Sequence, residues 1–176
     1  SGTIGIGNEV ANESYLIAGN NITYSRTGAN EGLVFADMAG AQGVSIKFRT
    51  TSTSAGRFNA EFSNPVGSAY FKLTDFDNYE EYTVNVYDED LNLYDLSVEG
   101  VVSRGSLIEQ SGNDFTSRTS TYAGGVNVNG DNPNDNHLGS IIFYFEGKVS
   151  RIEITYLHVE SSTIRFTQPT YCGSDS

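Results

Sequence analysis

Apolar and polar residues alternate along much of this chain. The alternation is densest between Tyr70 and Glu99, which reads YFKLTDFDNYEEYTVNVYDEDLNLYDLSVE. Tyr82, Val84 and Val86 fall on one face and Thr83, Asn85 and Tyr87 on the other, the period-two signature of a half-buried strand. The stretch predicts strand, acidic loop, strand, acidic turn, strand. In Val44–Thr50, Val44, Ile46 and Phe48 share a face, and in Arg57–Phe62, Phe58, Ala60 and Phe62 point inward. Ser14–Ala18 and Ile22–Ser25 bracket Gly19-Asn20-Asn21, a composition that suits a hairpin loop. Asn64-Pro65 predicts a turn before a strand at Ala69–Leu73. Short strands are expected near Val101 and Ser106–Glu109, while Ser111–Thr119 reads as a polar stretch around Phe115. Leu138–Glu146 and Val149–Val159 are the strongest strand signals, joined by the tight turn Glu146-Gly147-Lys148. Ser162–Thr167 predicts a last strand.

Helical periodicity never persists for three turns, and strand signals recur at about 8–15-residue spacing. This predicts an all-β protein, an antiparallel two-sheet β-sandwich with minimal helix. Val84, Val86, Ile142, Phe143, Ile152 and Ile154 are the expected core residues. The 176 residues fit a single domain over 1–168. Residues 169–176 are expected to form a tail or linker to a following module. With neither an initiator Met nor a leader, the chain reads as a mature or excised fragment.

Charge changes the picture more than length does. The chain carries 22 Asp and Glu against 10 Lys and Arg, a net charge of −12. Nucleic acid and anionic membranes are poor partners for such a surface, and multivalent cations are good ones. No apolar run approaches the roughly 18 residues that span a bilayer. The single cysteine, Cys172, allows no internal disulfide and no cysteine zinc site.

Three acidic or amide-rich stretches are candidate sites. Asp75 and Asp77 stand two apart in a predicted loop and could converge on a hard cation such as Ca2+, which takes about 6–8 oxygen ligands. The alternative is turn chemistry, in which Asp and Asn bond their own backbone. Asp88, Asp90, Asn92 and Glu99 match the first, third, fifth and twelfth positions of an EF-hand loop. Leu93 stands where that loop needs glycine, so a hairpin turn displaying acids is the better reading. Asn129–His137 (NGDNPNDNH) is longer than a simple turn needs. Its Asp131 and Asp135 could ligate a metal, and Asn129, Asn132 and Asn136 could border a ligand, with Tyr122 as an apolar platform. The chain has only two histidines, His137 and His158, and lacks nucleophile-elbow, His-pair and P-loop motifs, which argues against an enzyme. The absence of Trp weakens sugar stacking on indole, though Tyr can substitute.

Phe71–Asp77, Glu81–Asp90 and Val149–Tyr156 resemble jelly-roll modules of large secreted bacterial surface proteins. They are similar to the ligand-binding domains of repeat-containing adhesins, including peptide-binding domains of calcium-dependent ones. The ending YCGSDS resembles the entry into acidic calcium-binding repeats. The resemblance implies a jelly-roll-like, non-catalytic module on the bacterial cell surface, monomeric within a larger chain. Such a module binds a peptide or a carbohydrate with the help of Ca2+. A structural spacer and a glycan-active enzyme with an acidic cleft are the alternatives.

Overall fold

A computed structural model describes residues 8–10, 12–17, 20–28, 32–37, 44–50, 56–74, 80–117, 139–158 and 162–172, with side chains placed for 22–25, 56–73, 81–117, 139–156, 166 and 171. Thirteen strands and no helix are present among these residues. They are β1 (Asn8–Val10), β2 (Asn12–Ile17), β3 (Asn20–Gly28), β4 (Gly32–Asp37), β5 (Val44–Thr50), β6 (Gly56–Thr74), β7 (Glu80–Tyr87), β8 (Val101–Arg104), β9 (Ile108–Ser111), β10 (Asp114–Ser117), β11 (Ile141–Phe145), β12 (Val149–His158) and β13 (Ser162–Cys172). The all-β, antiparallel expectation holds: each pairing between them is antiparallel.

The strands form one hydrogen-bonded network with two ladders that share β6. The first ladder runs β2-β3-β6-β12-β7-β10-β9, and the second runs β1-β4-β5-β13-β6-β11-β8. The first half of β6 belongs to the first ladder, with Ala60 opposite both Tyr24 and Ile152. Its second half belongs to the other, with Leu73 opposite both Ile141 and Phe166. Between the halves β6 changes partners around Pro65. The six residues from Glu61 to Val66 lie opposite only the three from Arg151 to Val149 on β12, and Ser68 takes a positive φ of 53°. Proline cannot donate to a ladder and is tolerated at such irregularities. The predicted turn at Asn64-Pro65 is therefore a bend inside a strand.

The core is built from the inward half of the alternation. Phe58, Ala60, Val84, Val86, Phe143, Ile152 and Ile154 are fully buried, as the pattern predicts. Ile142 is the exception. Phe143 takes the inward position and Ile142 the outward one, because neighbouring residues on a strand face opposite sides. Rings link the ladders in a continuous path: Tyr24 to Phe58 (5.9 Å), Phe58 to Phe166 (5.2 Å), Phe166 to Phe71 (5.4 Å), Phe71 to Phe143 (4.7 Å) and Phe143 to Phe115 (5.8 Å). Each fully buried ring contributes about 1.5–3 kcal/mol.

Other departures have local causes. The hairpin of β2 and β3 is present, but Asn20 and Asn21 join β3, where Asn20 pairs with Ile17 and Asn21 with Leu16. The third strand expected before Glu99 is instead a series of turns touching the ladder at one bridge, Tyr87 to Leu93. Leu91 and Leu93 are exposed and only Leu96 is buried. β10 lies inside the stretch read as polar, and its Phe115 is fully buried. β13 continues through Pro169 to Cys172, with register shifts around the proline, and Tyr171 packs edge-on against Phe62 at 5.4 Å.

Candidate functional site

Where β10, β7 and β12 lie side by side, the outward residues form a polar hollow. Register places Thr116 opposite Glu81, Asp114 opposite Thr83, and Thr83 opposite Thr155. Their alternates Tyr82, Phe115 and Tyr156 are buried in the core. These eight residues line a cavity of about 330 Å3. Five of them, Glu81, Thr83, Asp114, Thr116 and Thr155, are polar residues at the outward positions. Its volume falls at the small end of the range for small-molecule sites, about 300–1,000 Å3.

The walls are ordered. Thr83 Oγ1 donates to Asp114 Oδ1 at 2.6 Å, fixing the carboxylate and leaving its other oxygen available. Beside the hollow, Asn113 Nδ2 donates to Asn85 Oδ1 at 3.4 Å, and Asn85 Nδ2 to Glu153 Oε1 at 3.4 Å. Glu153 also faces Arg151 at 3.7 Å, and the Arg151 guanidinium lies over the Tyr87 ring at 4.4 Å. The outer face of this ladder thus carries planar polar groups in sequence across β7 and β12. β7 starts directly after residues 75–79, and β10 ends directly before residue 118.

Asp75, Asp77, Tyr122, Asn129, Asp131, Asn132, Asp135 and Asn136 all lie outside the described residues. The acidic stretch after β7 does lie within them, and it is a turn. Asp88 Oδ1 accepts the backbone N–H groups of Asp90 and Asn92, each at 2.8 Å, and Oδ2 accepts Asn92 Nδ2 at 3.3 Å. The backbone N–H of Asn92 is the largest influence holding the Asp88 carboxyl below its ordinary range. Asp95 is likewise held low by the Ser97 hydroxyl, which donates to Asp95 Oδ1 at 2.5 Å, and by the Ser97 backbone N–H. These acids serve their own loop, as the turn reading expects. Among the described residues no three His, Cys, Asp or Glu side chains gather as a metal-holding group.

Glu81, Thr83, Asp114, Thr116 and Thr155 are candidate site residues that the sequence reading missed. A signal existed for Asp114 and Thr116: Ser111 and Asp114 pair across the two-residue loop Gly112-Asn113, and Gly112 has a positive φ of 60°. Gly-Asn between strand-like residues marks a tight hairpin.

No family model matches the chain, and no curated protein matches it. Among solved structures, it is similar to the enzymatically active domain of tailspike protein 4 from bacteriophage CBA120, with 10% identity and a TM-score of 0.43, over 85% of this chain and 19% of that one. It is also similar to the adhesin domain of PrgB from Enterococcus faecalis bound to DNA, with 12% identity and a TM-score of 0.43, over 86% of this chain and 60% of that one. The chain thus spans less than two thirds of the length of each. No helix among the described residues is long and apolar enough to cross a membrane.

Proposed function

We propose that this protein is a non-catalytic recognition module of a bacterial surface adhesin, and that it binds a glycan in the hollow over β10, β7 and β12. In this reading the two ladders face each other as the halves of a jelly-roll sandwich, with the hollow on the outside of one half. One observation carries the proposal: five outward Thr, Asp and Glu residues line a cavity of about 330 Å3. Carboxylates only accept, and hydroxyls both donate and accept, so such walls suit a ligand rich in hydroxyl groups. Calcium assists in this reading through Asp75, Asp77, Asp131 and Asp135, on chain that enters and leaves the same end of the ladder. Its support is the net charge of −12, which ligation would partly neutralise. The non-catalytic part rests on the lack of a nucleophile–base pattern in the sequence.

A glycan array and a peptide array, each probed with the wild-type protein, Asp114→Asn and Thr83→Val, test this. We expect glycan signals that both substitutions weaken by about tenfold, the loss of one charge-assisted hydrogen bond. Binding confined to peptides, or glycan binding unchanged in both variants, would overturn the assignment.

A glycan-active enzyme is the second reading, favoured by a specific juxtaposition. Glu81 and Asp114 are diagonal neighbours on adjacent strands in the same hollow, and diagonal side chains lie about 7–8 Å apart. A glycosidase needs two carboxylates at comparable separation. Turnover of a polysaccharide that is lost in both Glu81→Gln and Asp114→Asn would establish this reading over simple binding.

A further inference from the structure

We propose that the outward face of the second ladder is a separate glycan-binding surface. On it the ring faces of a neutral, hydroxyl-rich polysaccharide pack against Tyr70 and Tyr144, and its hydroxyls donate to Glu99 and Glu146. The surface stands on its own geometry and does not depend on the hollow in the first ladder.

The argument starts from alternation in β6 and β11. Phe71 and Phe143 are opposite one another and face inward, where their rings stack at 4.7 Å. One position along, Tyr70 and Tyr144 are also opposite one another and face outward. Among the described residues neither of these two rings stacks on another aromatic. Tyr144 is 38% exposed, the one aromatic among the exposed large hydrophobic residues described. An aromatic pair that served only to brace the sheet would gain from mutual contact. These two rings instead present an apolar body with a polar tip to solvent, the form that suits a surface half apolar and half wet.

A hollow of about 230 Å3 adjoins Tyr144, lined by Glu99, Gly100, Tyr144, Phe145 and Glu146. The backbone N–H of Tyr144 donates to the Gly100 carbonyl at 2.9 Å, which fastens the Glu99–Gly100 segment to β11. Glu89 is paired with Lys148 at 3.4 Å, and Glu153 faces Arg151. Glu99 and Glu146 have no such cation among the described residues. A ring that packs against C–H faces, next to two carboxylates with open lone pairs, is the donor–acceptor set a sugar requires.

Aromatic sheet faces also stack nucleic-acid bases. Charge decides between the two. The protein carries −12, the two side chains beside Tyr144 are both acidic, and a polyanion meets repulsion there. Among the described residues Lys72, whose Nζ lies 5.9 Å from the centre of the Tyr70 ring, is the one cation over either of these two rings.

Affinity gel electrophoresis through soluble mixed-linkage β-glucan, xyloglucan and galactomannan tests the proposal, with oligo-dT as a polyanion competitor. All proteins carry Asp114→Asn, which weakens the first hollow equally in each, so that differences between the variants read the second surface. We expect at least one neutral polysaccharide to retard this protein. Tyr144→Ala should raise the apparent Kd about tenfold, Tyr144→Phe should keep the retardation, and Glu146→Gln should weaken it. Thermal melts establish that each variant is folded; should Tyr144→Ala unfold, Tyr70→Ala and Glu146→Gln read the same surface. Failure of all three polysaccharides to retard the protein overturns the proposal. So does unchanged retardation in Tyr144→Ala and Glu146→Gln, or displacement of the polysaccharide by oligo-dT.

Discussion

Gly100 shows how little freedom single residues have around the outer hollow of the second ladder. Its φ is +89°, and a Cβ built on it would lie 2.4 Å from the Phe145 ring. Gly112 also has a positive φ, +60°, but nothing lies within 4 Å of its Cβ position. The pair separates backbone strain from steric conflict. Gly112→Ala should cost about 1–2 kcal/mol from the left-handed backbone alone. Gly100→Ala adds overpacking against Phe145 and should cost roughly 2–5 kcal/mol in all. Urea midpoints measure both, and equal costs would remove Phe145 from the explanation. Asp88 gives a second residue-scale prediction. Its folded-state pKa is depressed below the ordinary 3.8, chiefly by the Asn92 backbone N–H, so its contribution to stability is present above that value and lost as pH falls through the folded pKa. The Tm deficit of Asp88→Ala against wild type should therefore be full at pH 7 and shrink below about pH 3.8. A deficit that persists unchanged into acid would mean the side chain acts through packing instead of charge. At this scale the sequence supports two readings of an acidic cluster. Asp88, Asp90 and Asn92 carry the right groups for a cation as well as for a turn, and the backbone N–H groups that the Asp88 oxygens reach, which form the turn, are a matter of geometry that the sequence does not print.

Strands follow the period-two pattern wherever the core imposes it. β7 and β12 were legible because Tyr82, Val84 and Val86, and Ile152, Ile154 and Tyr156, alternate with their neighbours within strands of eight and ten residues. β11 was legible as a strand but not in its phase, since IIFYF is apolar at all five positions and gives no contrast between faces. The register resolves it, and substitution checks it. Phe143→Ala should destabilise by about 3–5 kcal/mol, whereas Ile142→Thr should stay within about 1 kcal/mol. The reverse order would place the wrong residue in the core. β10 was hidden by its brevity: four residues with one apolar position cannot establish a period, and only the Gly112-Asn113 turn announces it. The hollow depends on that strand. Thr83 and Thr155 read as ordinary outward strand residues, and Glu81 as the end of an acidic loop, until β10 brings Asp114 and Thr116 beside them. The long β6 was split in two by Pro65, because a proline that ends a strand and one that bends it look alike without the partner strands.

For the molecule as a whole, the surplus of carboxylates acts on stability through two separable routes. Twenty-two acids against ten bases repel one another across the surface, and salt screens that repulsion within about 8–10 Å at physiological ionic strength. Raising NaCl from roughly 0.01 M to 0.15 M should therefore raise Tm without any specific site. A calcium site adds something that screening does not supply. An ion bound only by the folded state raises Tm with its own concentration, adding about 2.7 kcal/mol of stability at a hundred times its Kd. Magnesium at equal ionic strength screens alike but demands near-ideal octahedral geometry, which calcium does not. The expectation is a calcium-dependent rise in Tm beyond that given by magnesium in the same background of NaCl. EDTA should reverse it, and Asp75→Asn with Asp77→Asn, or Asp131→Asn with Asp135→Asn, should abolish part of it. Equal shifts for the two cations would assign the whole effect to surface charge and remove calcium from the proposed mode of recognition.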